Sequence, residues 1–471
     1  MVGIRLSVAV TLLLSASACV LKESPTPPPT LPSSFGHISQ SATQWPSADW
    51  YRAFGSEELN RFIDEATRLN LDFAMSRARV VQADARSRQA GAALLPAADI
   101  GGNINYLAGH SSQGSAHETD WGLLLNASYE VDFWGKNRAA ARSASDLANA
   151  ARADRDTIAL TTLADVATEY FRLLSLRERL EVAAANKHAA GQLLEVVQAR
   201  FDVGLANPVE LATEKAVLAN ATLAIPELNQ QETETLAGLA ILLGHLPEGF
   251  TVEATSLQGI SEPRVSPGLP SEFVTRRPDV FQAEANMRAA HADLIVARAA
   301  LLPSLSLTAS GGLQNPALNA AVLSLSGTGP TLNLGAALLQ PIFDGGKLRA
   351  ARAEVQARDE ELVMAYRAAI LAAFNDVEIA LGAVQHLDEA SAPQAVNLAE
   401  SERAFDGANL RFKAGSGDFL SVLEAQRTLY AARDQFSQYK LNRLQASVAL
   451  CKALGGGWEA PDPQRTAKEL P

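Results

Sequence analysis

Aromatic residues make up only 6% of the 471-residue chain, which has just two cysteines, four methionines and seven histidines. The cysteines, Cys19 and Cys451, lie at opposite ends and neither belongs to a CxxC pair. That pattern excludes a disulfide framework and argues against a structural zinc site. The histidines (His37, His110, His117, His188, His245, His291 and His386) are scattered. No HExxH, GxSxG or P-loop pattern accompanies them, so the chain reads as a non-enzyme without cofactor or metal. The four methionines give no sign of a methionine-lined metal path. A basic excess is also missing: the formal net charge is −12 and the pI is near 5.2. A protein that neutralises nucleic-acid phosphates needs the opposite balance, so nucleic acid is not an expected partner.

What the chain does have is small and aliphatic. Hydrophobic residues reach 47%, and alanine recurs throughout. Alanine is the strongest helix former and lets helices approach closely, so the composition predicts a helix-rich protein with tight helix packing.

The N-terminus carries an export signal at 1–18. Arg5 supplies the positive region, Leu6 to Leu14 the short apolar region, and Ala16-Ser17-Ala18 the small residues before Cys19. The apolar stretch is too short to span a bilayer as a helix. Small residues directly before Cys resemble a bacterial lipobox, with Ala16 where leucine is usual. Cys19 is then the expected lipid anchor, carrying a diacylglycerol and an N-acyl chain. Ordinary cleavage near Ala18 is the alternative. Val20 in place of Asp fits sorting to the outer membrane, as in the lipoproteins this segment resembles. Residues 19–45, with the run Pro25-Thr26-Pro27-Pro28-Pro29, read as a stiff extended linker.

The chain repeats itself. Gly135-Lys136-Asn137-Arg138-Ala139-Ala140 returns as Gly346-Lys347-Leu348-Arg349-Ala350-Ala351, an offset of 211 (346 − 135). Arg200-Phe201-Asp202-Val203-Gly204 returns at the same offset as Arg411-Phe412-Lys413-Ala414-Gly415. Ala93-Leu94-Leu95-Pro96 returns as Ala300-Leu301-Leu302-Pro303, offset by 207 (300 − 93). Two copies of one unit are therefore expected at 46–255 and 272–457, with a linker at 256–271 and a tail at 458–471.

Each copy opens with a helical stretch, Glu57–Leu94 or Val274–Leu301, stopped by Pro96 or Pro303. A β-hairpin follows, at about 97–132 and about 304–342, in strands of about ten residues. Trp121, Leu123, Leu125, Ala127, Tyr129 and Val131 alternate with mostly polar neighbours, the period of a strand with one apolar face. Loops are expected at His110–Ser115 and Ser326–Pro330. A soluble hairpin would show the same alternation. If the strands cross a membrane, however, four per chain cannot close a barrel, which needs about eight or more, and several subunits must share one. Long helical hairpins complete the copies, at about 136–243 and about 347–454. Pro393 is expected to interrupt the second, and the returning helices are expected at Val209–Leu223 and Phe419–Leu450. Leu163, Val166, Ala167, Tyr170, Leu173, Leu174 and Leu180 form one helical stripe. Gly204 and Gly415 end the outgoing helices, and Asn207-Pro208 and Gly417-Asp418 start the returning ones.

With these features in place, the chain from about 45 to 457 resembles the outer membrane factor family, the TolC- and OprM-like efflux ducts. The segments that carry the resemblance are the repeat, Gln340-Pro341-Ile342-Phe343-Asp344-Gly345-Gly346, and the run from Arg411 to Gln426. The lipobox fits the lipoprotein branch. The resemblance implies a mostly α fold with membrane β: a homotrimer with a shared 12-strand outer-membrane barrel and a periplasmic α-barrel. It also implies a periplasmic adaptor and an inner-membrane pump, often of the resistance–nodulation–division class, as partners. The positions matching the family's periplasmic gate are Leu420 and Glu424, where related ducts commonly carry Asp in place of Glu424. The positions matching its adaptor-docking tips are Val203, Gly204 and Leu205, and Ala414, Gly415 and Ser416. Glu424 as a plain surface carboxylate, and the tip glycines as plain helix caps, stay open as alternatives.

Two other functions use similar parts: a duct for exported protein, as in type I secretion, and a lipoprotein scaffold without a pore. The lipobox and the junction segment favour small-molecule efflux, and the strands speak against a scaffold. Replacing Cys19 with Ser is expected to abolish incorporation of radiolabelled palmitate while leaving oligomers intact. Undiminished labelling would contradict the anchor assignment.

Overall fold

The computed structural model describes Pro32, Phe35, Gly36 and residues 44–111, 114–263, 265, 268, 270–314 and 329–460. Cys19, the signal segment and most of the loop between the last two strands lie outside the described residues.

The helices are α1 (Glu57–Leu69), α2 (Leu71–Ala92), α3 (Lys136–Asp202), α4 (Pro208–Leu242), α5 (Pro278–Ala299), α6 (Lys347–Lys413) and α7 (Phe419–Ala453). The strands are β1 (Ala97–Ser111), β2 (Gly114–Val131), β3 (Ser304–Gln314) and β4 (Gly329–Leu339). A four-residue helix, Pro270–Phe273, and a 3-10 turn, Val274–Arg276, precede α5. The repeat is kept to the residue: α3 and α6 each have 67 residues, α4 and α7 each have 35, and α2 and α5 each have 22.

Two compact units share these elements. The first comprises the described residues among 79–152 and 282–367, and the second those among 29–78, 153–281 and 368–471. In the first unit the strands form one antiparallel sheet in the order β1-β2-β3-β4. Its register aligns the alternating patterns of all four strands. Ile100 faces Leu125, Ile104 faces Trp121, Leu123 faces Leu313, Tyr129 faces Leu307, Leu305 faces Leu338 and Ala309 faces Leu334. One face is thus apolar from edge to edge, and Ile100, Ile104, Trp121, Leu123, Leu125, Leu332, Leu334 and Leu338 are exposed on it. The other face carries Asp99, Asn103, Asn126, Ser128, Ser306, Thr308, Ser310 and Asn333, with Asn126 donating to Asp99 at 3.0 Å. Among the described residues, the outer edges of β1 and β4 have no strand partner. Below the sheet, the Trp134 indole donates to the Pro303 carbonyl at 2.7 Å, and Arg152–Asp84 (2.6 Å) and Arg288–Asp146 (3.2 Å) pair across helices.

In the second unit α1 supplies a core rather than a barrel wall. Leu59, Phe62 and Ile63 pack with Trp50, Phe54, Val166, Ala167, Tyr170, Phe171, Leu173, Leu174, Leu239 and Cys451, all buried. The expected stripe on α3 is this buried face. Burial pushes the Cys451 thiol up to about 12, which leaves it an inert core residue.

Several expectations are corrected. The first helix breaks at Asn70, whose N–H closes α1 on the Ala66 carbonyl while its side chain accepts from Phe73 N and donates to the Leu242 carbonyl. A side chain that can replace backbone partners ends one helix and starts the next without Pro or Gly. The second copy starts at Pro278, where proline needs no donor at the first helical position. Strands β1 and β2 run 15 and 18 residues, longer than expected, and pairing continues to Ser111–Gly114, so the loop at 110–115 shrinks to its tip. Pro393 does not interrupt α6, and α4 runs through Pro226 to Leu242 rather than ending at Leu223. Proline removes one hydrogen bond from a helix, and both helices continue past that loss. The linker is not wholly free of the body: Phe35 is buried and stacks on Phe374 at 5.4 Å, and Arg276 lies 4.8 Å from the Trp45 ring. At the other end, Trp458 belongs to the fold, donating to Asp156 at 2.9 Å and packing on Phe281.

Arg277 ties the start of the second copy to its end. Its guanidinium forks onto Asp279 (3.0 and 2.7 Å), reaches Asp376 (3.0 Å) and donates to the Ala453 carbonyl (3.0 Å). Replacing it with Ala strips a buried, charge-assisted set. It is expected to lower stability by roughly 2–3 kcal/mol, read as an earlier urea midpoint in detergent, with Lys restoring only part. An unchanged midpoint would contradict this role.

Candidate gate and hairpin tips

Two turns of identical design end the long helices. At the first, Gly204 N–H donates to the Phe201 carbonyl at 3.0 Å and Leu205 N–H to the Arg200 carbonyl at 2.8 Å. At the second, Gly415 donates to Phe412 and Ser416 to Arg411, both at 3.0 Å. These are Schellman closures, and they require a left-handed residue: φ is +77° at Gly204 and +74° at Gly415. The returning helices start on side-chain caps. Asn207 Oδ1 accepts from Val209 and Glu210 N–H, and Glu210 returns a bond to Asn207 N–H. Asp418 accepts from the backbone N–H of Ser421 at 2.7 Å, then from its hydroxyl, and these bonds hold its carboxyl below the usual range.

Behind the tips, four helices share one core. Ala190, Leu193 and Val197 of α3 meet Leu211 and Val217 of α4, Phe405 and Phe412 of α6, and Phe419, Val422, Leu423 and Leu429 of α7. Arg200 links the two hairpins: its guanidinium sits 4.3 Å from the centre of the Phe412 ring and donates to the Phe412 carbonyl at 3.1 Å. Arg200 shows no role in the sequence beyond its place in the repeat, because a cation–π contact between hairpins has no sequence spacing.

Every expected site residue within the described chain is on the surface. Leu420 is 60% exposed and Glu424 is exposed one turn later, on the side of α7 opposite Phe419, Val422, Leu423 and Gln426, which are buried. At the first tip Val203 is 69% and Leu205 71% exposed, flanking Gly204. Ala414, Gly415 and Ser416 are exposed at the second. The structure thus gathers the docking candidates at two equivalent turns and sets Leu420 with Glu424 on one strip. Among the described residues, no group of His, Cys, Asp or Glu could hold a metal ion. The sequence reading passed over Glu214 and Gln426, both fully buried on α4 and α7. A carboxylate at helical spacing between Leu211 and Val217, on an otherwise apolar stripe, was the available signal.

The model of the outer membrane efflux protein family matches residues 62–245 and 269–456, one stretch for each repeat. The chain belongs to this family. It is 42% identical over 420 residues to the pyoverdine export outer membrane protein OpmQ of Pseudomonas aeruginosa, covering 87% of this chain and 88% of that protein. It is 39% identical over 470 residues to OpmQ of Pseudomonas putida, covering 96% and 98%. The solved outer-membrane channel OprN superposes with a TM-score of 0.86 over 93% of this chain and all of that one, at 23% identity, a likeness of fold. The efflux-family chain is accordingly an outer-membrane protein of Gram-negative type and the outer-membrane component of an efflux system. Its relatives are channel and export proteins rather than enzymes.

Proposed function

We propose that three copies of the chain assemble into one passive duct, conducting small molecules from a periplasmic adaptor and an inner-membrane pump to the exterior. The observation that carries this reading is the sheet: one unbroken apolar face, one polar face and, among the described residues, two unpaired edges. Such a sheet suits lipid on one side and a water-filled lumen on the other, and its edges demand neighbours. Three copies supply twelve strands. Cys19 anchors each copy through lipid. The tips at Val203, Gly204, Leu205 and at Ala414, Gly415, Ser416 meet the adaptor, with glycine allowing close backbone approach.

Leu420 and Glu424 form the gate. In a threefold assembly they stack as a ring of leucine over a ring of carboxylate, the first narrowing and drying the passage, the second attracting cations and repelling anions. The two relatives named for pyoverdine export support a compound of that kind as cargo. The duct needs little selectivity of its own if the pump selects, and it has no chemistry to perform.

Purified protein in planar bilayers tests the reading. Leu420→Ala with Glu424→Ala is expected to raise conductance several-fold and to reduce cation preference. A preparation in which neither the native chain nor this variant ever forms channels would contradict the duct, whereas channels of unchanged conductance would contradict only the gate assignment.

A further inference from the structure

Glu214 and Gln426 are each 0% exposed, and they face each other across α4 and α7. The Gln426 amide nitrogen donates to Glu214 Oε1 at 3.4 Å and to the Tyr430 hydroxyl at 3.2 Å. Tyr430 in turn donates to the Asn186 carbonyl of α3 at 2.6 Å. Two buried atoms in this chain of bonds have no partner: Glu214 Oε2 and Gln426 Oε1. Both are acceptors. What the site lacks is a donor, and one proton on Glu214 supplies it. An ionised carboxylate here would be buried with one long hydrogen bond, an arrangement that low-polarity surroundings penalise heavily.

We propose that Glu214 is held as a neutral acid that closes a reciprocal pair with Gln426, amide N–H to one carboxyl oxygen and carboxyl O–H to the amide oxygen, and so acts as the positioning residue that fixes α7, with Leu420 and Glu424, against α4. Gln426 lies two residues beyond Glu424 on the same helix, so the pair acts on the backbone that carries the candidate gate.

The surroundings support a neutral acid. Burial pushes Glu214 above the ordinary glutamate range, and the Gln426 bond and the Arg427 charge pull the other way without overcoming it. Among the described residues, Arg427 is the charged side chain acting on it, and Tyr430 is a titratable neighbour on α7. From α3 and α6 the same core receives Ala190, Leu193, Val197, Phe405 and Phe412, which carry no charge. A cleft of about 520 Å³ opens nearby, lined in part by Val217, Arg427 and Tyr430 and by the charged Arg179, Glu227 and Asp434, while Glu214 and Gln426 themselves stay behind its wall. Because the folded pKa is raised above the unfolded one, the tie is complete at low pH and is lost as pH rises through the raised value. Alkaline conditions therefore loosen α7 from α4.

Only the conductance arm of the test rests on the gate reading. The full-length protein is compared with Glu214→Gln, a permanently neutral near-isostere, in a Glu424→Gln background that removes the exposed carboxylate. Native Glu214 is expected to give conductance that rises several-fold as pH rises through its raised titration, and Glu214→Gln to give a low, flat profile. Identical profiles would overturn the coupling to the gate. Independently, infrared difference spectra between the two proteins isolate the Glu214 carboxyl band. The expected midpoint lies above the ordinary glutamate value of about 4.3, and a midpoint at or below it would overturn the neutral acid whatever the channel does.

Discussion

In hydrocarbon, an unpaired backbone N–H or C=O costs several kcal/mol, and nothing but another strand or the next turn of a helix can satisfy it. A sheet of four strands leaves two edges in that position, here along β1 and β4. The cross-strand register makes the demand specific. Leucine, isoleucine, tryptophan and alanine line one face from β1 to β4, while asparagine, serine and threonine line the other. Shifting any pairing by one residue would turn an entire strand over. The sheet is an arc of a barrel wall, and the chain makes sense only as one of several.

The helices answer a different constraint. Two hairpins with limbs of 67 and 35 residues must keep register with each other over a great length, with small side chains and few aromatics. The chain meets this by duplicating one hairpin, closing both turns with the same pair of backbone bonds and packing aromatic residues in local groups, two of which lie in its buried cores. One is the cluster around Trp50, Phe54, Phe62, Tyr170 and Phe171, and the other is the Phe405, Phe412 and Phe419 group behind the tips. Near the second, polar links between helices replace apolar packing: Arg200 to Phe412, Tyr430 to Asn186 and Gln426 to Glu214. Buried polar contacts hold one geometry but depend on every partner being present.

Much of this was legible in the sequence because duplication is legible. Offsets of 207 and 211 located both hairpins, their tips and their caps, and the period-two pattern from Trp121 to Val131 located the apolar face of the sheet. The misreadings have physical causes. Pro393 reads as a breaker because local propensity says so, yet α6 continues through it, as α4 does through Pro226. Asn70 breaks a helix without Pro or Gly because its partner, the Leu242 carbonyl, is 172 residues away. Phe35 and Trp45 sit in a proline-rich stretch that reads as spacer, and only the folded body shows where their rings go. That Leu420 and Glu424 share one exposed strip of α7 follows from their spacing of four. Glu214 could not be connected to Gln426, since no local pattern joins positions 212 residues apart.

The account stands on the joining of edges between copies. Cysteine placed at Ile104 on β1, paired in turn with cysteines at successive positions from Leu332 to Leu338 on β4, reads that joining directly under mild oxidation. The account predicts disulfide-linked ladders of one, two and three chains that stop at three and peak at a single register. An absence of linkage at every position, or a ladder that continues past three, would contradict it.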